Sequence, residues 1–217
     1  MLSCVIAKYK KQIETLNPLQ DSGFNYDSKR WSTLNSESKK LVAVYENKVI
    51  NRKDVIDAFI QYYQGEKEYL YPFILTMIWG FADTGYGTYR TNKYLDSTLN
   101  RDNIEYAFSA IKENNIEKAY KLFMKIKGLN ISYVSKLLYF ATRARGYKDY
   151  ALIFDIRVAR SLVKLLDVDG DISGLLDITP SNKYKDFDNY NKLMHRWAKE
   201  LDVEAENIEM FLFDGKI

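Results

Sequence analysis

The sequence predicts an all-α protein, either one large domain or two helical lobes around a central cleft. The chain has 217 residues, a length that suits both arrangements. Only 3 prolines and 10 glycines occur, which argues against a sandwich of short strands joined by tight turns. Hydrophobic residues make up 47% of the chain, enough for a substantial core, and they recur at helical spacing.

The first 50 residues differ in character from the remainder. Residues 1–40 are polar and mixed, and we expect an N-terminal arm with short helices over residues 1–50. From Asp54 the apolar residues follow a helical period, and Gly65 is expected to end that helix. Tyr69 to Phe81 is apolar on nearly every side, as in a buried central helix. We therefore expect a helical domain over residues 51–217.

The segment Thr84–Thr91 reads TGYGTYRT and is predicted to be a loop. Its glycines are as well explained by a tight turn as by a binding loop. Its aromatic and basic side chains would suit stacking on a base and holding a phosphate.

The segment Lys125–Leu162 has the most informative order of elements: helix, glycine hairpin, helix, loop, aspartate, helix. The hairpin is expected within residues 116–145, with Gly128 ending its first helix. Ser132 and Ser135 are candidate N-caps for the second helix. Backbone N–H groups at such a hairpin could bind a DNA phosphate.

Two side chains in this segment suit covalent chemistry at a sugar carbon. Lys136 lies one helical turn after Ser132 and projects from the same helix face. Burial favours the neutral form of an amine, which can then act as a nucleophile. Asp155 stands where an N-cap is wanted, and its carboxylate could stabilise positive charge or assist proton transfer.

The order of these elements resembles the helix-hairpin-helix DNA glycosylase superfamily. Four blocks are similar, more closely, to a bacterial family of 8-oxoguanine-DNA-glycosylase-fold (OGG-fold) proteins. The blocks are WGFADTGYGTYRT (Trp79–Thr91), SYVSKLLYFA (Ser132–Ala141), ALIFDIRVARSL (Ala151–Leu162) and HRWAKELDVEAENIEMFLF (His195–Phe213). The resemblance implies a DNA glycosylase, with or without AP-lyase activity, that removes a flipped modified base, 8-oxoguanine by default.

The resemblance also implies which residues act. The superfamily's catalytic lysine and aspartate correspond to Lys136 and Asp155, which are 155 − 136 = 19 positions apart. Counted without gaps from Gly128, however, the usual lysine position holds Ser132, and the hairpin reads GLNIS without a second glycine. The candidate DNA-binding residues are Gly128, Asn130, Ser132, Arg90 and Lys127, and the candidate walls of a base pocket are Trp79, Tyr86, Tyr89 and Phe213.

Composition and charge limit the classes of partner. The net charge of +3 is compatible with double-stranded DNA as partner but does not require it. One cysteine and one histidine leave no usual ligand set for zinc or iron, so we expect neither metal nor cofactor. The N-terminal apolar run is too short for a signal peptide, and no stretch suits a membrane span. We expect a cytoplasmic monomer.

Other interpretations of the same residues stay open. Lys136 could be an ordinary solvated lysine, Asp155 only a helix cap, and Trp79 a core residue. The scaffold could then be a DNA-binding module without catalysis, an interpretation that the displaced lysine supports. A glycosylase that acts on modified foreign DNA and a helical protein-interaction domain are further alternatives.

Overall fold

The computed structural model describes residues 3–82, 84–167 and 183–215, and these residues are mostly helical. The all-α prediction is therefore confirmed. The helices are α1 (Ser3–Ala7), α2 (Lys10–Glu14), α3 (Pro18–Asp21), α4 (Ser36–Val42), α5 (Arg52–Tyr63), α6 (Leu70–Phe81), α7 (Gly87–Tyr94), α8 (Thr98–Lys112), α9 (Ile116–Met124), α10 (Ile131–Ala144), α11 (Ile156–Asp167), α12 (Tyr184–Leu201) and α13 (Ala205–Asp214). A 3₁₀ turn, Ala43–Tyr45, follows α4, and two short strands, β1 (Phe24–Asn25) and β2 (Val49–Ile50), pair antiparallel with Phe24 opposite Ile50.

The chain divides into two compact units, residues 19–150 and residues 1–18 with 151–217. This division does not coincide with the boundary expected at residue 50. The first 18 residues belong with the C-terminal helices because α1 packs on α11 and α12, and α2 packs on α13. The Asn207 side-chain amide also donates hydrogen bonds to the carbonyls of Ile13 and Leu16.

Helix α6 forms the centre of the unit 19–150. Every residue from Leu70 to Ile78 is buried, as the all-round apolar sequence predicts. Helices α4, α5, α7 and α10 pack against it, and α8 packs along α9. Helix α5 begins with a capping box between Asn51 and Asp54, which satisfies two backbone N–H groups at its start. This packing fixes the start of α10 against the end of α6.

In the second unit, residues 151–155 have no regular secondary structure and lead into α11. The Tyr190 hydroxyl donates to the carbonyl of Ile153, and the Asn191 side chain accepts from the backbone N–H of Leu152. Both partners lie on α12, so this helix holds the residues that immediately precede Asp155. Helix α13 packs against both α11 and α12.

Two local predictions are corrected by the structure. The segment 84–91 is not a loop throughout, because α7 begins at Gly87. Gly87 is explained by packing, because a Cβ at this position would lie 2.7 Å from the Trp31 ring. Neither Ser132 nor Ser135 caps α10, because Asn130 occupies the N-cap position and the Ser135 hydroxyl donates to the carbonyl of Ser132.

Within the described ranges, no helix combines the length and the apolar character that crossing a membrane requires.

Candidate active site

The glycine hairpin between α9 and α10 lies where the sequence predicts it. Gly128 has a φ of +88°, in the left-handed region that favours glycine, and it lets the chain reverse after α9. The Tyr94 hydroxyl of α7 donates a hydrogen bond to the Gly128 carbonyl, with the two oxygens 3.0 Å apart. Lys127, Gly128 and Asn130 are exposed. The hairpin is therefore fixed from one side and open to solvent on another.

Lys136 is a buried lysine, with only 6% of its surface exposed. Its Nζ donates to the Ser132 hydroxyl at 2.9 Å and to the Ser132 carbonyl at 3.1 Å. The same Nζ lies 5.2 Å from the centroid of the Tyr133 ring, within the range of a cation–π contact. The side chain thus runs back along α10 towards the hairpin, the direction in which helical side chains point.

The wall beside Lys136 comes from the last turn of α6. The Phe81 ring stacks on the Tyr133 ring, with centroids 4.2 Å apart and planes inclined by 27°. A Cβ at Gly80 would lie 3.1 Å from the Lys136 Cδ and 3.2 Å from Tyr133 Cε1. Because Gly80 has no side chain, α6 and the Lys136 stem can lie this close together.

Asp155 immediately precedes α11 and has a different environment. Its carboxylate accepts a hydrogen bond from the backbone N–H of Arg157, with the oxygen and nitrogen 2.8 Å apart. The Asp155 carbonyl accepts from the N–H of Ala159, the first bond of the helix ladder. Both bonds are those of an N-cap residue, as predicted. The side chain is half-buried.

Helix α7 presents an exposed aromatic and basic face. Tyr86 and Tyr89 are 71% and 65% exposed, and Arg90 and Lys93 are exposed beside them. Lys93 Nζ lies 5.7 Å from the Tyr89 ring centroid. The opposite face of α7 is buried and anchored, since the Thr88 hydroxyl donates to the carbonyl of Arg30.

A hydrogen-bonded connection links this face of α7 to the hairpin. Arg90 lies close enough to the Tyr94 hydroxyl to interact with it, and that hydroxyl donates to the Gly128 carbonyl. Burial raises the pKa of Tyr94, although the neighbouring Arg90 acts in the opposite direction. Arg90, Tyr94 and Gly128 therefore form one continuous contact within the unit 19–150.

Trp79 and Phe213 make contacts typical of packing. The Trp79 Nε1 donates to the Ser22 carbonyl, and its ring meets Phe140 edge to face at 5.1 Å. The Arg52 guanidinium lies 5.5 Å from the centroid of the same ring. Phe213 belongs to the other unit, where the Arg157 guanidinium lies 4.0 Å from its ring centroid. Trp79 is half-buried.

A family model described as "Putative 8-oxoguanine DNA glycosylase OGG-like protein" matches residues 17–213. The chain belongs to this family. The match spans most of both units and includes Lys136, Asp155, the hairpin and α7. Membership relates the chain to DNA glycosylases and to DNA as the macromolecule that such proteins bind. No curated protein and no solved structure matches the chain.

Within the unit 19–150 of this OGG-like chain, the structure brings some of the predicted residues together. Lys136 contacts Ser132, and Arg90 is joined through Tyr94 to Gly128. Gly80, Phe81 and Tyr133 were missed as neighbours of the lysine. Gly80 gave the one available signal, because a glycine inside an apolar helix often marks a close approach by another group.

Proposed function

We propose that the protein is a DNA glycosylase with AP-lyase activity, in which Lys136 is the nucleophile and Asp155 stabilises the charge that develops. The observation that supports it best is the buried Lys136 amine, held by Ser132 at the hairpin end of α10. The family's description makes 8-oxoguanine the first base to test.

The chemistry needs an amine that is neutral and fixed in place. An amine that attacks carbon must offer a lone pair, and a low-polarity environment favours the neutral form over the ammonium ion. The stem of Lys136 packs against Tyr133 and the end of α6, so the carbon atoms that carry the amine are enclosed. The stem of a solvated lysine would not be enclosed in this way.

The proposed reaction replaces two bonds at the sugar C1′, one to the base and one to O4′, with a double bond to the Lys136 nitrogen. Lys136 Nζ attacks C1′ with its lone pair, and the bond from C1′ to the base breaks with the electron pair leaving on the base. Loss of the second N–H proton and opening of the C1′–O4′ bond give an imine, so one amine proton ends on the base and one on O4′. Removal of a C2′ proton then expels the 3′ phosphate, which is the lyase step.

Asp155 is proposed to stabilise positive charge on the sugar, and its geometry as a helix N-cap suits this role. Positive charge grows on the sugar as the base leaves, and a fixed carboxylate stabilises that charge without needing to reorganise. The hydrogen bond from the Arg157 N–H holds the carboxylate in one orientation. The proposal assigns Lys136 and Asp155 to the same reaction.

The DNA is proposed to bind along the hairpin and α7. Lys127, Asn130 and the backbone at Gly128 are exposed and suit a phosphate. Tyr86 and Tyr89 offer aromatic faces on which bases can stack, and Arg90 and Lys93 supply positive charge beside them. Extrusion of a base needs such a surface, because the unstacked bases must be held.

The test is covalent trapping. The protein is incubated with duplex DNA that contains an abasic site or 8-oxoguanine, and borohydride is added to reduce any imine to a stable amine. We expect an adduct with the native protein and none with Lys136→Met, an apolar variant of similar length that suits a buried position. Lys118→Ala, which removes an exposed lysine of α9, is the matched control and should keep the adduct.

The outcomes separate the candidate functions. An adduct that persists in Lys136→Met, with that variant folded, would overturn the assignment of the nucleophile. Binding to duplex DNA without adduct or base release would favour a binding module without catalysis. That alternative is favoured by the sequence position of Lys136, one helical turn beyond the superfamily's usual lysine position, which holds Ser132.

A further inference from the structure

The Lys136 amine lies one helical turn away from its own Cα, beside Ser132. Ser132 supplies two acceptors to it, the hydroxyl at 2.9 Å and the backbone carbonyl at 3.1 Å. The Ser135 hydroxyl also donates to that carbonyl. Two side chains from the next turn thus converge on Ser132, which stands in the first turn of α10 immediately after the hairpin.

The space for this conformation comes from Gly80. A Cβ at this position would lie 3.1 Å from the Lys136 Cδ, tighter than a normal carbon contact, and the Tyr133 ring would be equally crowded. Any side chain at position 80 would therefore push the lysine stem or the ring away. The stacked pair of Phe81 and Tyr133 closes the same side.

We infer that Ser132 and Gly80 are positioning residues that deliver the Lys136 amine to the hairpin end of α10. Ser132 fixes the amine through its hydroxyl, and Gly80 leaves the channel along which the lysine stem runs. The inference rests on the proposed function, since it names what places the proposed nucleophile. It also assigns Ser132 to the lysine, whereas the sequence suggested a contact with phosphate.

The physical reason is preorganisation. A lysine side chain has four rotatable bonds and many conformers, so an unrestrained amine spends little time at any one point. Enclosure of the stem and a hydrogen bond at the tip reduce those conformers before the substrate arrives, and this raises the rate of the chemical step more than the affinity. A residue that acts in this way changes the rate constant at saturation and leaves the dissociation constant nearly unchanged.

The first test is Ser132→Ala, with Ser132→Thr as the conservative variant and Ser109→Ala on α8 as the matched serine control. Single-turnover trapping at saturating protein gives the rate, and binding to an abasic duplex gives the affinity. We expect Ser132→Ala to slow trapping by about 10-fold with affinity within about 2-fold, an effect of the size that one positioning contact supplies. Ser132→Thr should restore most of the rate. Weaker binding with an unchanged rate at saturation would overturn the inference and make Ser132 a phosphate ligand.

The second test is Gly80→Ala, which leaves every polar group in place. Alanine is favoured over glycine inside a helix, so the variant should fold at least as well as the native protein apart from the local crowding. We expect slower trapping, again by about 10-fold, because the lysine stem must move. The double variant with Ser132→Ala should lose less than the product of the two single losses, since both act through one amine. Fully multiplicative losses would contradict a shared action.

A third measurement does not depend on catalysis. Lys136 is acetylated in the absence of DNA, and the modified peptide is quantified by mass spectrometry against the peptide that contains exposed Lys118. Ser132→Ala should raise the Lys136 acetylation rate several-fold and leave that of Lys118 unchanged, because the amine loses its hydrogen bond to the hydroxyl. If the native protein gives no adduct, the proposed function fails while this measurement still decides whether Ser132 holds the amine. An unchanged acetylation rate would overturn the inference.

Discussion

The Lys136 side chain is enclosed by a neighbouring helix, whereas the Asp155 carboxylate is held by the backbone of its own helix. Lys136 packs beside Gly80 of α6 and under the Tyr133 ring, and it is 6% exposed. Asp155 is half-buried and accepts from the N–H of Arg157, two residues along the chain. The space for the lysine stem thus depends on Gly80, a residue distant in sequence, whereas the Asp155 cap uses a backbone group two residues along the chain.

This difference determines how each group responds to substitution. Close packing around a side chain is disturbed when any of the packed residues is changed. The reactivity of Lys136 should therefore be sensitive to substitutions at residues that do not contact DNA. A helix cap needs only a suitable acceptor at one position, so chemistry and stability can be separated there by choice of side chain. The following predictions test that distinction, from the largest expected effect to the smallest.

The largest effect is expected from Asp155→Asn. Asparagine caps helices as well as aspartate does, so the free energy of unfolding should stay within about 0.5 kcal/mol of the native value. The negative charge is lost, and the trapping rate should fall by about 100-fold or more, equivalent to about 2.7 kcal/mol of transition-state stabilisation. Trapping and urea unfolding measure the two quantities. A variant that retained the native rate would show that Asp155 is a cap and nothing more.

Next in size is the effect of Tyr133→Ala on stability. The substitution removes a ring stacked on Phe81 at 4.2 Å and opens the enclosure beside Lys136. We expect the free energy of unfolding to fall by about 2 kcal/mol, the sum of lost burial and lost aromatic contact for a half-buried ring. Tyr106→Ala, at a tyrosine of α8 that is 60% exposed, should cost less than about 0.5 kcal/mol in the same urea titration. Equal losses in the two variants would refute a special role for the α6–α10 contact.

Asp155→Ala should cost about 1 kcal/mol, because it removes the hydrogen bond to the Arg157 N–H and leaves the first turn of α11 without its cap. Urea unfolding of the alanine and asparagine variants side by side isolates the cap, since both lack the charge. A difference near zero between them would mean that the bond to Arg157 contributes no stability.

The same contrast explains which parts could be predicted from the sequence. Helix α6, the hairpin at Gly128 and the cap at Asp155 follow from local patterns: an apolar run, a glycine after a helix, and an aspartate before one. In the sequence, Lys136 stands one helical turn beyond the superfamily's usual lysine position, which holds Ser132. Its amine nevertheless lies beside Ser132, because the side chain extends towards the hairpin. The side chain has room to extend in this direction because Gly80 has no side chain. Gly80 lies 56 positions before Lys136 in the chain (136 − 80), so no local sequence pattern connects these two residues.

A further tertiary contact changed the interpretation of the segment 84–91. Its glycines are typical of a loop, but Gly87 begins a helix, and the absence of a side chain at Gly87 leaves room for the Trp31 ring. The consequence is functional as well as structural. On a helix, Tyr86, Tyr89 and Arg90 project from one face at spacings of three and four residues, which a loop would not ensure.

The smallest effect is expected at that face, where the side chains are exposed and neither enclosed nor capping. Arg90→Ala should weaken binding to duplex DNA by a few-fold and reduce the slope of log affinity against log salt by about 1, the change for one lost phosphate contact. The trapping rate at saturating protein should be unchanged, because Arg90 does not touch the lysine environment. Lys112→Ala, which removes an exposed cation from the end of α8, is the control and should leave the slope unaltered. A slope that stays at the native value in Arg90→Ala would place the phosphate contacts elsewhere and restrict the DNA surface to the hairpin.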